Sequence, residues 1–111
     1  MNMLTIPGSM HMFLCKTPIS MRKSFEGLSA TVELLFPEKL LTGAYFIFLN
    51  RKRDYMKVLY FDGDGLAIWS KRLEKGVFAK KESHQQSISR RDFLMLLEGI
   101  IPKRVTPRFS L

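Results

Sequence analysis

Residues 44–73 constrain the fold most strongly, because three apolar runs alternate there with two turn sequences. The runs contain many aromatic and β-branched residues, which favour β-strands. These runs are residues 44–49, 55–61 and 66–73. A polar loop at residues 51–54 joins the first two runs, and the turn Asp62-Gly63-Asp64-Gly65 joins the second and third. The pattern predicts an antiparallel β-meander.

The pairing of these strands predicts a sheet that is apolar on both faces. If both hairpins are regular, Phe46 lies opposite Leu59 and Val58 lies opposite Trp69. One face then carries Phe46, Phe48, Lys57, Leu59, Phe61, Leu66, Ile68, Ser70 and Arg72. The other face carries Tyr45, Ile47, Leu49, Met56, Val58, Tyr60, Ala67, Trp69 and Lys71.

An antiparallel sheet with one solvated face normally alternates apolar and polar residues, and this one does not. We therefore expect both faces to be covered, either by two helices or by one helix and a partner. If only one helix packs on the sheet, a homodimer through the other face is expected.

Two amphipathic helices flank the meander. The first begins after Ser20, which takes the N-cap position, and ends at Pro37. Its apolar stripe is Met21, Phe25, Leu28, Val32 and Leu35. The second follows Ser89, which has capping-box spacing to Asp92, and ends near Gly99. Its apolar stripe is Phe93, Leu96, Leu97 and Ile100.

Outside these elements we expect two short strands and one polar loop, at residues 10–16, 77–79 and 80–88. The whole pattern predicts an α+β fold, a small antiparallel β-meander of three to five strands with one helix before it and one helix after it. A chain of 111 residues fits one domain, which we assign to residues 20–100. Residues 1–19 form an N-terminal arm and short strand, and residues 101–111 a basic C-terminal tail.

The composition predicts a cytoplasmic protein with no membrane association. Cys15 is the single cysteine, so no intramolecular disulfide can form. The longest apolar run is residues 44–49, far shorter than the ~20 residues that span a bilayer. No cation precedes Lys16, which argues against a signal peptide.

The charge balance favours polyanionic partners. Eighteen Lys and Arg residues stand against ten Asp and Glu residues, for a formal net charge of +8. A basic surface of this kind attracts polyanions, nucleic acid above all. The alternative is ordinary solubility charge, because charge alone specifies no partner.

The best-placed cations lie at the tip of the first hairpin, Arg51-Lys52-Arg53, where three adjacent charges cannot be buried. Arg22 and Lys23 are expected in the first turn of the first helix, an unfavourable place for cations unless an anion lies nearby. The candidate nucleic-acid-binding residues are Arg22, Lys23, Arg51, Lys52, Arg53, Lys57, Lys71 and Arg72. Taken singly, each cation is more often a solvated surface charge.

Tyr45, Tyr60 and Trp69 beside Lys71 have the composition of a base-stacking surface. Aromatic residues in a sheet are more often core residues, and that interpretation is preferred here.

The chain contains no recognisable catalytic or metal-binding motif. The turn at residues 62–65 resembles the start of a calcium loop, but leucines occupy the fifth and twelfth ligand positions. His11 and His84 have no Cys or His at zinc-ligand spacing. Cys15 lies in a predicted strand and is expected to be a small buried thiol. We therefore expect no catalytic residue, no metal and no cofactor.

An ordered set of motifs runs through residues 20–100. The motifs are Met21-Arg22-Lys23-Ser24-Phe25-Glu26-Gly27-Leu28, Gly43, Phe46, Phe48, Arg51, Lys57-Val58-Leu59, Asp62-Gly63, Gly65-Leu66, Lys71-Arg72-Leu73-Glu74, Gly76, Phe78 and Leu94-Met95-Leu96-Leu97-Glu98-Gly99-Ile100. Together they resemble the TnpB-type, or second open reading frame, accessory proteins of bacterial insertion sequences of the sixty-sixth family. The chain departs from the family pattern at Ser20, Ser24 and Tyr60-Phe61, where Asp, Gly and Trp-Trp are common.

The resemblance implies a role in transposition beside a separate, larger transposase that carries the acidic catalytic residues. It supplies no catalytic residue for this chain. We expect a non-catalytic accessory protein that binds DNA at the element ends, the transposase of the same element, or both. The alternatives are a metal-dependent nuclease acting on element ends and a general RNA-binding module.

Overall fold

The fold is built on a five-stranded sheet, and the computed structural model describes residues 11–78 and 87–98. The elements in chain order are β1 (Met12–Leu14), α1 (Phe25–Leu35), β2 (Tyr45–Leu49), β3 (Tyr55–Phe61), β4 (Leu66–Arg72), β5 (Ser87–Ile88) and α2 (Arg90–Glu98). The strands lie in the order β4-β3-β2-β1-β5. This is an α+β fold with a mostly antiparallel sheet, as the sequence predicted.

The register of both hairpins is confirmed. Phe46 pairs with Leu59, and Val58 pairs with Trp69. The second turn closes with a hydrogen bond of 2.7 Å from the Asp62 N–H to the Gly65 carbonyl oxygen. Gly63 within this turn has a φ of +81°, a backbone conformation that is free of steric strain only for glycine.

The N-terminal strand lies inside the sheet. Met12 pairs with Tyr45 in a parallel ladder and with Ile88 in an antiparallel one. The expectation of a purely antiparallel meander missed this parallel pair, because a three-residue strand contains too little pattern to reveal its neighbours. The crossover through α1 supplies the long connection that parallel strands require.

The short strands differ in extent from the sequence prediction. β1 covers only Met12–Leu14 of the expected residues 10–16, and residue 10 lies outside the described residues. Val77 forms an isolated bridge rather than a strand, and Phe78 after it is buried, while residue 79 is outside the described range. Ser87–Ile88 was expected in a loop but forms β5, because its backbone pairs with the edge of β1 in an antiparallel ladder.

α1 begins later than predicted. Ser20 does not cap the helix: its hydroxyl oxygen accepts the Arg22 N–H in a turn that precedes the helix, and Ser24 takes the N-cap position. The Lys57 ammonium group binds the carbonyl oxygens of Met21 and Lys23, so this backbone is engaged by the sheet instead of by a helical turn. The helix ends at Leu35, before Pro37 as expected.

Each face of the sheet is covered by a helix, which confirms the main expectation from the strand pattern. Leu28 and Val32 of α1 pack in one core cluster with Phe46, Phe48 and Leu59. The other cluster joins α2 to the opposite face and contains Tyr45, Ile47, Val58, Phe93 and Leu96. Neither described helix is long and apolar enough to cross a membrane.

α2 is capped as its sequence predicts. The Asp92 N–H donates to the Ser89 hydroxyl oxygen at 3.0 Å, which satisfies one of the free N–H groups of the first turn. Phe93 is fully buried, whereas Met95 on the same helix is 46 % exposed.

We expect Phe93→Ala to lower the free energy of unfolding by about 3–5 kcal/mol, because it removes a buried ring from the core under the sheet. The matched change Met95→Ala should cost less than about 1 kcal/mol. Urea denaturation followed by circular dichroism measures both. Equal losses for the two variants would show that α2 does not pack on the sheet as described.

Candidate nucleic-acid interface

The loop between β2 and β3 is held in shape by Asn50. The Asn50 Oδ1 accepts the backbone N–H groups of Asp54 and Tyr55, and its Nδ2 donates to Asp54 Oδ1 at 2.7 Å. The Arg53 N–H also donates to the Asn50 carbonyl oxygen, and Arg53 has a φ of +60°. A loop so internally bonded presents its outer side chains from a fixed backbone.

The base of this loop is tied to the chain that follows β4. The Leu73 N–H donates to the Asp54 carbonyl oxygen at 2.7 Å, and the Phe78 N–H donates to the Arg53 carbonyl oxygen at 2.8 Å. Arg53 is half-buried, whereas Arg51 and Lys52 are exposed. The three cations of the loop are therefore not equivalent, and Arg51 and Lys52 are the ones presented to solvent.

An open groove of about 490 Å³ lies between this loop and the segment that precedes α1. Its described lining residues are Pro18, Ile19, Ser20, Asn50, Arg51, Lys52, Asp54 and Arg72. Three of them are cations and one is an acid, so the groove is electropositive. We call this feature the basic groove.

Arg72 reaches the basic groove from the end of β4. It stands opposite Tyr55 in the strand register, and its guanidinium carbon lies 5.6 Å from the centre of the Tyr55 ring. A cation over an aromatic face is attracted electrostatically by the ring, which restrains the guanidinium group. Lys71 pairs with Met56 and therefore lies on the opposite face of the sheet from Arg72.

Lys57 plays a structural part at the same end of the sheet. Its Nζ donates to the carbonyl oxygens of Met21 at 2.9 Å and of Lys23 at 2.8 Å. Two of its three N–H donors are thus engaged within the chain. Lys57 was a candidate nucleic-acid contact from sequence, but these bonds make it the tether that holds the segment before α1 against the sheet.

Arg22 and Lys23 are exposed, and they precede α1 instead of lying in its first turn. The prediction that both cations lie in the first turn of the helix is therefore wrong, and the helix dipole does not act against them there. Ser20 lines the basic groove and accepts the Arg22 N–H, so Arg22 is adjacent to the groove in the fold. Close packing favours glycine at position 27, since a Cβ there would lie 3.1 Å from the Lys23 side chain.

The remaining candidate groups have structural surroundings. The Cys15 thiol is buried and donates to the Thr17 carbonyl oxygen at 3.3 Å. Tyr45 is a core residue whose ring centre lies 4.9 Å from that of Tyr60, and burial, helped by Tyr60, raises the pKa of Tyr45. Within residues 11–78 and 87–98, no group of three or more His, Cys, Asp and Glu side chains could hold a metal ion.

Five residues that line the basic groove were not among the nucleic-acid contacts predicted from sequence, namely Pro18, Ile19, Ser20, Asn50 and Asp54. Asn50 carried a signal, since Asn before a polar loop often bonds to the backbone that follows it. Residues 18–20 reach the groove because the Ile19 N–H pairs with the Leu49 carbonyl oxygen, a contact that local sequence does not reveal.

These features define an α+β protein whose described residues form two helices and a sheet with a basic groove at one end. The family described as IS66 Orf2 like protein matches residues 10–107, which is most of the chain. The chain belongs to this family, and it is an accessory protein of an insertion sequence.

Two curated relatives come from Sinorhizobium fredii. The uncharacterized protein y4hO is 33 % identical over 82 residues, covering 72 % of this chain and 71 % of that protein. The uncharacterized protein y4jC is 28 % identical over 90 residues, covering 79 % of this chain and 77 % of that protein. No solved structure matches the chain.

We expect Lys57→Met to lower the free energy of unfolding by about 1.5–3 kcal/mol, since it removes two charged hydrogen bonds to the backbone before α1. Lys52→Met removes the same charge from the exposed loop and should change stability by less than about 0.5 kcal/mol. Thermal and urea unfolding measure both variants. If Lys57→Met is as stable as Lys52→Met, Lys57 is not the tether described.

Proposed function

We propose that this accessory protein binds DNA through the basic groove and takes no catalytic part in transposition. Arg51, Lys52 and Arg72 supply the principal phosphate contacts, with Arg22 adjacent to the groove and Lys23 next to it in sequence. One observation carries the proposal: residues 51–52 and residue 72, separated by two strands in the chain, line one open groove.

The chemistry of the groove suits phosphate groups. Guanidinium groups form paired, charge-assisted hydrogen bonds with phosphate oxygens, and Arg51 and Arg72 both supply them. The internal bonds of the loop fix the backbone that carries Arg51, and the ring of Tyr55 restrains the guanidinium group of Arg72, which lowers the entropy lost on binding. The net charge of +8 adds long-range attraction to any polyanion.

Asp54 is the one acid among the described lining residues of the groove, and its Oδ1 accepts the Asn50 side-chain amide. This hydrogen bond leaves the carboxylate charge in place, but three lining cations outnumber it, so the groove keeps a net positive charge.

The transposase of the same element is proposed as the protein partner. Family membership supports this proposal, because an accessory protein acts beside the proteins that carry out the reaction. Binding of DNA and of transposase are compatible, since the basic groove occupies only one end of the sheet.

The triple variant Arg51→Ala, Lys52→Ala, Arg72→Ala should weaken DNA binding and flatten the dependence of log affinity on log salt by about two to three, at about 0.9 for each lost phosphate contact. Fluorescence anisotropy at several salt concentrations measures this with element-end DNA, unrelated DNA and RNA of equal length. The melting temperature should change little, because these side chains are at the surface.

The matched control is Lys39→Ala, Arg90→Ala, Arg91→Ala, which removes the same number of positive charges from exposed sites outside the groove. It should keep most of the wild-type affinity. An identical salt slope for wild-type protein and the groove variant would contradict the groove as the contact. Tighter binding to RNA than to either DNA would favour the RNA-binding alternative.

Purified protein should leave supercoiled and linear element-end DNA uncut in the presence of magnesium or manganese. A two-metal nuclease needs two or more converging carboxylates, and the groove offers Asp54 alone among its described lining residues. Gel electrophoresis of the incubated DNA tests this. Metal-dependent nicking that disappears in Asp54→Asn, Asp62→Asn or Asp64→Asn would establish the nuclease instead.

A further inference from the structure

β4 forms a long outer edge of the sheet. It has seven residues, whereas β5 at the other edge has two. Its register with β3 is unbroken from Leu66 to Arg72, so it contains no bulge, and it contains no proline. Its first five residues carry no charge. Sheet edges are usually protected by charge, proline, bulges or shortness, and β4 carries a charge only at its last two positions.

The hydrogen bonds at the two ends of β4 establish which backbone groups face outward. Asp62 bonds to Gly65 at one end, and Leu73 bonds to Asp54 at the other, each at 2.7 Å. Bonded and non-bonded pairs alternate along an antiparallel ladder. The residues whose N–H and C=O groups point away from β3 are therefore Leu66, Ile68, Ser70 and Arg72. In the described part of the chain no strand lies beyond them.

We propose that β4 pairs antiparallel with β4 of a second copy of this chain, joining two sheets into one of ten strands. A two-fold register must match the outward-facing residues with one another. The register that pairs the whole strand places Arg72 opposite Leu66 of the second copy, and it sets Trp69 opposite its own counterpart. This central position is a non-hydrogen-bonded pair, in which side chains approach most closely.

The charges at the two ends of β4 favour antiparallel pairing, and they favour a second copy of this chain as the partner of this edge. Lys71 and Arg72 lie at one end of β4, and Asp62 and Asp64 lie in the turn at its other end. Antiparallel pairing brings the basic end of each copy beside the acidic turn of the other. A parallel arrangement in register would instead place Lys71 against Lys71 and Arg72 against Arg72.

The same arrangement adds apolar contact at the centre of the edge. Ile68 and Trp69 are half-buried, although both pack against the core clusters of their own chain. A second β4 would cover the exposed parts of both side chains. This inference uses the backbone edge of β4, and of the residues in that edge only Arg72 also lines the basic groove as described.

Size-exclusion chromatography with light scattering should give a dimer, twice the chain mass of 12.9 kDa, at high micromolar concentration. Ser70→Pro should give a monomer with an unchanged circular dichroism spectrum. The Ser70 N–H faces outward, so proline there removes no bond to β3 but blocks the second strand. Ser70→Ala keeps the N–H and should stay dimeric. A monomeric wild-type protein, or a dimeric Ser70→Pro variant, would overturn the proposal.

Cysteine cross-linking tests the register and does not depend on the proline variant folding. With oxidised glutathione as the electron acceptor, Trp69→Cys should form a disulfide-linked dimer, while Ile68→Cys and Ser70→Cys should not. In this register residue 68 of one copy lies opposite residue 70 of the other. Two copies of residue 68, or of residue 70, are therefore diagonal neighbours, and their Cα atoms are farther apart than the ~7 Å that a disulfide can bridge. The wild-type protein, with Cys15 buried, is the control. Absence of cross-linking at position 69 would refute this register.

Discussion

The structure depends on the need to remove both faces of the β2–β3 hairpin from water. Every residue of β2 is buried, and Met56, Val58 and Leu59 of β3 are buried as well. Burying one large apolar side chain contributes about 1.5–3 kcal/mol, so neither face can remain exposed without a large loss of stability. One helix cannot cover two faces. The chain therefore places α1 on one side and α2 on the other, and these helices lie before and after the hairpins in sequence.

Because the faces are occupied by helices, the described strands carry charge only at Lys71 and Arg72 of the edge strand β4 and at Lys57 of β3, whose ammonium group is bound by backbone carbonyl oxygens. At the end near residues 50–54, a network around Asn50 fixes the loop backbone, and the Tyr55 ring restrains Arg72. Lys57 adds a tether between the sheet and the segment before α1. The groups that shape the basic groove are thus engaged within the protein, while Arg51 and Lys52 face solvent. The side chains that hold the groove in shape are therefore different from Arg51 and Lys52, which a ligand in solvent can contact directly.

Much of the fold could be predicted from sequence because it is encoded locally. The apolar runs and the turn residues between them predicted the pairing of Phe46 with Leu59 and of Val58 with Trp69, and helical spacing predicted the burial of Phe93 and Leu96 in α2. The later start of α1 could not be predicted, since it depends on bonds from Lys57, more than thirty residues away. The parallel pairing of β1 with β2 could not be predicted from sequence either. For the candidate site, sequence identified the cations, but only the fold brings Arg72 beside residues 51–52, and only the fold shows that Lys57 is engaged.

The position of β1 has a consequence for synthesis of the chain on the ribosome. β1 lies between β2 and β5, and its Met12 pairs with Ile88 near the other end of the described chain. The β2–β3–β4 hairpins can form as soon as they emerge, because their contacts are local. The face beneath α2 stays open until residues 87–98 have been translated. Between the formation of the β2–β3–β4 hairpins and the docking of α2, the nascent chain therefore carries a sheet with one apolar face open to water, and surface exposed in this way favours aggregation.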